Sequence, residues 1–366
     1  MDELKHLLFL TRIDGLGAVR IKRLIEKFGN AGNVFDASHK ELAEIENISE
    51  RSANAILNSF KSFDEFDPVY DEYIAKAEKQ NITIVPLSDE NYPELLKRIY
   101  DPPVVLYIKG KYEPAELQNS VGIVGTRKPS DYGKKMAERF AEDLSTAGIC
   151  VISGFARGVD TYAHKAVLKN KNSAAITAAV FGCGVDMIYP PENKALYEEM
   201  CEKGLLISEY EISAFPDAVN FPKRNRIISG LSLGTIVIES DIDGGALITA
   251  RTALDQSREV FAVPGYVTSK VSHGTNALIK NGQAKLVENL DDVLVEISNK
   301  LKGLKLSTAN GNSVTIQSVP ELSGNEKLVY DTFLMTIEPI HIDAISEKSG
   351  LNISDSLVTL LNMEFK

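Results

Sequence analysis

The chain has 366 residues, 44% hydrophobic and 25% charged, with 40 basic against 51 acidic residues and a formal net charge of −11. That length predicts two or three domains whose cores need no disulfide or metal staples. The composition is that of a soluble globular protein. Its acidic balance argues against a broad, sequence-blind grip on duplex DNA but leaves room for a local basic groove.

No apolar run approaches a membrane span, and Met1–Lys5 lacks the basic-then-apolar layout of a secretory signal. The expectation is a cytoplasmic protein with no membrane contact. Cys150, Cys183 and Cys201 are far apart, with no C-x-x-C spacing, and the five histidines show no ligand spacing. Neither disulfide nor metal is expected. Cys150 and Cys183 read as small buried hydrophobes.

Residues 1–62 read as short helices. Ile13-Asp14-Gly15-Leu16-Gly17 precedes a segment with apolar residues at 18, 21, 24 and 25, which is helical spacing. This turn is like that of a helix-hairpin-helix, and a weaker, more acidic copy runs from Ile45 to Ile56. Such a module either offers backbone N–H groups to a phosphate or simply packs. Residues 63–117 form an extension to the core, with a helix at Tyr70–Gln80 and strands at 82–85 and 104–108.

From Ser120 the rhythm changes. Strands are expected at 121–124, 149–152, 174–181, 205–207, 235–238 and 260–263. Helices are expected at about 133–147, 160–169, 193–203, 225–231 and 246–256. Strands alternating with such helices predict βαβ units, so 118–300 reads as a Rossmann-like, doubly wound α/β domain. Residues 301–321 are small and polar, a linker. Residues 322–366 hold three helical stretches, 326–334, 340–349 and 354–363, resembling a winged helix whose wing is incomplete. No basic residue lies on 354–363, which favours protein interaction over DNA reading.

Glycine-rich turns follow the predicted strands, at the edge where open α/β sheets bind ligands. In the first, Gly125 permits close backbone approach, Thr126 and Ser130 supply hydroxyls, and Arg127 adds a fork of donors suited to phosphate. The helix behind it offers free N–H groups. The spacing is not G-x-G-x-x-G, and Ser153-Gly154 stand where a ribose-binding acid belongs, so no dinucleotide cofactor is expected. The second turn, Ser153-Gly154-Phe155-Ala156-Arg157-Gly158, leads to Asp160 and His164. These two either pair as a base and its orienter or serve as helix cap and packing. In the third segment, Phe221-Pro222-Lys223-Arg224-Asn225-Arg226, three cations flank a stacking candidate. They can follow a phosphate backbone or ion-pair with Glu209 or Glu239. A fourth anion seat is Gly244-Gly245.

Taken in order, these segments resemble the DNA processing protein A family (DprA, also called Smf). The resemblance rests on Gly122–Gly133, Ser153–His164 and Gly182–Pro190. It continues through Phe221–Ser232, with its run Arg-Asn-Arg-Ile-Ile-Ser-Gly-Leu-Ser, then Gly244–Thr249 and Val263-Pro264-Gly265. It covers essentially the whole chain. It implies a Rossmann-like fold with an N-terminal helix-hairpin-helix (SAM-like) module and a C-terminal winged helix. It implies a non-enzymatic protein, without cofactor, that binds and protects incoming single-stranded DNA in natural transformation. Such a protein helps load the RecA recombinase, displaces single-strand-binding protein and forms homodimers. The DNA-contacting residues it implies are Arg127 and Lys223, Arg224, Asn225 and Arg226, then Ser130, Ser153, Gly154 and Arg157. Gly125, Thr126, Phe221, Gly244 and Gly245 complete that edge. The rival readings are a nucleotide phosphoribohydrolase, with Glu239 or Asp160 as its carboxylate, and a mononucleotide sensor or pure interaction scaffold.

Overall fold

The computed structural model describes residues 2–60, 62–303, 306–307, 313–314, 322, 324–334 and 340–364. In chain order the first unit, residues 1–304, contains α1 (Asp2–Thr11), α2 (Ala18–Phe28), α3 (Ala31–Asp36), α4 (His39–Ala43), α5 (Glu50–Phe60) and α6 (Phe63–Lys79). Next come β1 (Ile82–Pro86), α7 (Glu94–Lys97), β2 (Val105–Gly110), β3 (Ser120–Val124), α8 (Asp131–Thr146), β4 (Cys150–Ser153) and α9 (Val159–Lys169). Then follow β5 (Thr177–Phe181), α10 (Lys194–Lys203), β6 (Leu205–Ser208), α11 (Asn220–Gly230), β7 (Gly234–Val237) and α12 (Gly245–Asp255). The unit closes with β8 (Glu259–Ala262), α13 (His273–Lys280), β9 (Lys285–Leu286) and α14 (Leu290–Ile297).

These strands form one nine-stranded sheet in the order β1-β2-β6-β5-β4-β3-β7-β8-β9. From β6 to β9 every pairing is parallel, while β1 and β2 add an antiparallel edge beside β6. From β3 the chain winds outward through β4, β5 and β6, then returns to β7 on the other side of β3. The β3/β7 boundary is therefore the topological switch point, where such sheets bind ligands.

The central strands are buried on both faces, which explains their unbroken apolar runs. Ala178, Val180, Leu205 and Ile207 join one core cluster and Ala179, Phe181 and Leu206 the other, a period of two across the sheet. The second of these clusters continues through Val105 and Tyr107 into Leu7, Leu10, Ile21 and Leu24 of the N-terminal helices. The helical module thus shares its core with one face of the sheet. Cys150 and Cys183 are buried as expected.

Two helix starts differ from the sequence reading. α11 begins at Asn220 rather than Asn225, because Pro222 sits in its first turn, where a missing N–H costs nothing. α6 begins at Phe63 and carries Pro68 within it. The strand expected from Ala174 starts at Thr177, and α13, β9 and α14 were not anticipated.

The second unit, residues 305–366, holds β10 (Leu306–Ser307), β11 (Ser313–Val314), α15 (Asn325–Leu334), α16 (Ile342–Ser349) and α17 (Ile353–Glu364). β10 and β11 pair antiparallel. The rest of the expected linker from 304 to 321 lies outside the described residues. Gly350 closes α16 with a left-handed φ of 72°, which makes the tight turn into α17.

Candidate nucleic-acid interface

At the switch point the loops after β3 and β7 diverge, and α11 closes the third side. They enclose a cleft of about 580 Å³. Gly125, Thr126, Arg127, Phe221, Arg224, Asn225, Gly244 and Gly245 all line it. Tyr189, Pro216, Ala218 and Ser240 line it too and were not picked out from sequence as site residues. Ser130, Ser153, Gly154, Arg157, Lys223 and Arg226 are not among its lining residues. No group of three potential metal ligands occurs among the described residues. No helix there is long and apolar enough to cross a membrane.

The expected anion seats are not equivalent. The N-terminus of α8 is already filled. The Glu239 carboxylate accepts from the Ser130 N–H at 2.9 Å and from the Ser130 hydroxyl, which itself accepts from Gly133 N–H at 3.1 Å. Glu239 is 2% exposed, and a Cβ on Gly133 would overlap its carboxylate, so only glycine lets that acid in. The β4 turn is filled likewise. One Asp160 oxygen accepts from Gly154 N–H at 3.0 Å and Ala156 N–H at 3.2 Å. A Cβ on Gly154 would lie 2.7 Å from that oxygen.

The α12 N-terminus is open. Gly244 caps it without a side-chain bond, and a Cβ on Gly245 would meet nothing within 4 Å. Its first N–H groups and the helix dipole therefore face the cleft without an internal anion. Across from it Arg127 is exposed, and its guanidinium has no hydrogen-bond or ion-pair partner among the described residues. Thr126 is fixed by its N–H to Glu239 O at 2.8 Å, which anchors the loop carrying Arg127 to the end of β7.

Several expected contact residues turn out to hold the fold. Ser153 is fully buried and donates to Ile123 O at 2.6 Å, so it cannot reach a ligand. Arg224 is 4% exposed and donates to Gly154 O at 2.6 Å and to Val180 O, tying the ends of β4 and β5 to α11. Burial lowers its guanidinium to about 10, against the pull of Asp160. The same burial pushes the Asp160 carboxyl up to about 6, opposed by Arg224 and the two N–H bonds. Its Nε is buried without a hydrogen-bond partner.

Arg226 is spoken for by a fork on Glu209, at 3.0 and 2.6 Å, and a bond to Asp101 at 2.9 Å. Glu209 is the partner that the sequence offered as the alternative to phosphate. Arg157 pairs with Glu192 at 2.7 Å on the surface, where such a pair is weak and easily exchanged. Lys223 is exposed in an adjoining groove. Asp160 and His164 do not pair: His164 Nδ1 lies 2.7 Å from Thr177 Oγ1, and burial holds the imidazole down to about 3. Phe221 is half-buried, its ring 5.4 Å from Tyr189 and under the Arg224 guanidinium.

The fold and the site together define a doubly wound α/β protein with an open, aromatic-walled cleft at its switch point. Residues 83–298 match the family model described as DNA recombination-mediator protein A, and residues 7–62 match a SAM-like helix-hairpin-helix tandem. Protein Smf of Synechocystis is 35% identical over 77% of this chain and 69% of its own. The X-ray structure of DNA processing protein A from Streptococcus pneumoniae superposes with a TM-score of 0.68 at 33% identity, covering 80% of this chain and 97% of that one. DNA processing protein A from Helicobacter pylori, in a structure described as giving insights into its single-stranded DNA binding mode, has a TM-score of 0.52 at 31% identity. That match covers 59% of this chain and 95% of the other. The chain belongs to the DNA recombination-mediator protein A family. The tandem match bears out the second helical hairpin read from Ile45 to Ile56.

Proposed function

We propose that the switch-point cleft binds single-stranded DNA and that the protein acts without catalysis as a recombination mediator in the cytoplasm. The observation that carries this reading is the open N-terminus of α12 facing the unpartnered Arg127 across a cleft walled by Phe221. A phosphate fits between the N–H groups and the guanidinium, and a base fits against the ring. Arg127, Asn225, Gly244 and Gly245 contact the strand directly, with Lys223 and Arg157 beside it. Ser130, Ser153, Gly154, Arg224 and Arg226 serve it by holding the walls in place. The binding mode described for the Helicobacter relative supports the choice of single strands.

The enzyme reading needs a free carboxylate. Glu239 and Asp160 are both engaged by backbone and hydroxyl donors, which speaks for cleft architecture instead. Loading of RecA, displacement of single-strand-binding protein and homodimerisation belong to the same proposal. For the dimer, β9 is a bare sheet edge with Leu286 42% exposed, a surface suited to a second copy. Fluorescence anisotropy with labelled single-stranded and duplex oligonucleotides across a salt series tests the binding. Tight, salt-dependent binding that prefers single strands is expected. No binding at low salt overturns it and redirects the search to small nucleotides.

A further inference from the structure

The loop Glu209–Val219 joins β6 to α11, and its second half walls the cleft through Pro216 and Ala218. Next to Pro216 stands Phe215, 79% exposed, with Val219 at 59% exposure on the same loop. The first half of this loop is gripped by the end of α1 and by α6. Arg12 makes a fork on Glu211, Nε to Oε1 at 3.0 Å and Nη2 to Oε2 at 2.9 Å. The Tyr73 hydroxyl accepts from Ile212 N–H at 2.9 Å. Lys76 Nζ donates to Ser213 Oγ at 3.3 Å. From the sheet side, Asp186 accepts from Ser213 N–H at 2.7 Å and from its hydroxyl at 3.0 Å, while Gly184 N–H donates to Ala214 O at 2.9 Å. Four consecutive residues are thus pinned, three of them by the end of α1 and by α6, and the pinning stops where the exposed aromatic begins.

We propose that Phe215 is a second base-stacking residue at the mouth of the cleft, and that Arg12, Tyr73 and Lys76 are positioning residues which hold its loop. The inference rests on the proposed binding of single-stranded DNA. Covering a large exposed ring with a base removes apolar surface from water, and a loop already ordered loses little entropy when the strand arrives. On this view α1 of the helical module and α6 of the extension act on DNA through the loop, without touching the strand.

The test is equilibrium binding of a labelled oligo-dT, together with the salt slope and thermal midpoint of each variant. Phe215→Ala should weaken binding about five- to a hundredfold, with salt slope and midpoint unchanged, because stacking neutralises no phosphate. Phe215→Tyr should restore it. Tyr73→Phe, which removes one hydroxyl, should weaken binding about two- to fivefold in the parent and have no effect in the Phe215→Ala background. Lys76→Met supplies the same cycle if Tyr73→Phe lowers the midpoint. Parent-like binding by Phe215→Ala, or losses that add in the double variant, overturns the inference. If the parent binds and only Arg127→Ala weakens it, the cleft reading stands and this one falls. If the parent does not bind, both fall.

Discussion

Arg127 and Arg224 look interchangeable in the sequence, yet their replacement by alanine should give opposite results. Arg224 donates to two main-chain oxygens at the ends of β4 and β5 and faces the buried Asp160. Hydrogen bonds from a charged donor contribute about 1.5–3 kcal/mol each, and removing one partner of a buried pair costs about 3–5 kcal/mol. Arg224→Ala should therefore destabilise the protein by about 3–5 kcal/mol and lower its thermal midpoint by about 5–8 °C. Arg127 is exposed and unpartnered, so Arg127→Ala should change stability by less than about 0.5 kcal/mol. It should instead weaken oligo-dT binding and make the slope of log affinity against log salt shallower by about 0.7, the loss of one phosphate contact on a single strand. Calorimetry and anisotropy on both variants separate the two roles. An Arg224→Ala protein of parental midpoint, or an Arg127→Ala protein of parental salt slope, refutes the assignment.

Gly245→Asp places a carboxylate in the first turn of α12, where there is room for it and the helix dipole favours it. The midpoint should hold or rise while DNA binding is lost; retained binding shows that this helix end is not the seat. Leu286→Arg at the β9 edge should convert a dimer to a monomer in light scattering, and an unchanged mass places the interface elsewhere. His164, held down to about 3, binds fewer protons folded than unfolded, so its contribution to stability falls as pH drops from about 6.5 towards 3. Asp160, raised to about 6, has the opposite sign: folding favours its proton, and its contribution falls as pH rises from about 4 to 6. The two offset each other between pH 6 and 4, roughly. Asp160→Asn should accordingly begin to lose stability near pH 6, whereas the parent holds until about 4. Superimposable midpoint–pH profiles of variant and parent count against this pairing of signs.

The sheet was legible because strands buried on both faces must be apolar throughout, as in Val121–Val124 and Ala178–Phe181. The two-residue β9 was not, since Lys285-Leu286 carries no pattern, and Pro222 reads as a helix breaker although it serves as a helix start. The glycine turns at Gly125 and at Gly244-Gly245 line the switch-point cleft. What the sequence hid was occupancy. Glu239 fills a helix end 109 residues before it, and nothing local to Ser130 announces that acid. Arg12 likewise meets Glu211 across 199 residues, so the helical module's hold on the cleft loop appears only in three dimensions.

On the proposed reading, the same internal acids explain how a chain of net charge −11 holds an anionic strand. Glu239 and Asp160 are buried and saturate the seats they occupy, while Arg226 pairs with Glu209 and Asp101 beside the adjoining groove and offsets one of their two charges. What remains for the strand is one open helix end with Arg127 across from it and Lys223 nearby. A site of two or three phosphate contacts predicts a salt slope of only about −1.5 to −2 per protomer, since each contact on a single strand contributes about −0.7. So gentle a salt dependence requires that the rest of the affinity come from stacking, which is why the aromatic wall at Phe221 matters as much as the cations. A slope near −5 on an oligonucleotide too short to leave the cleft would show that cations outside it take most of the load, and would refute this division.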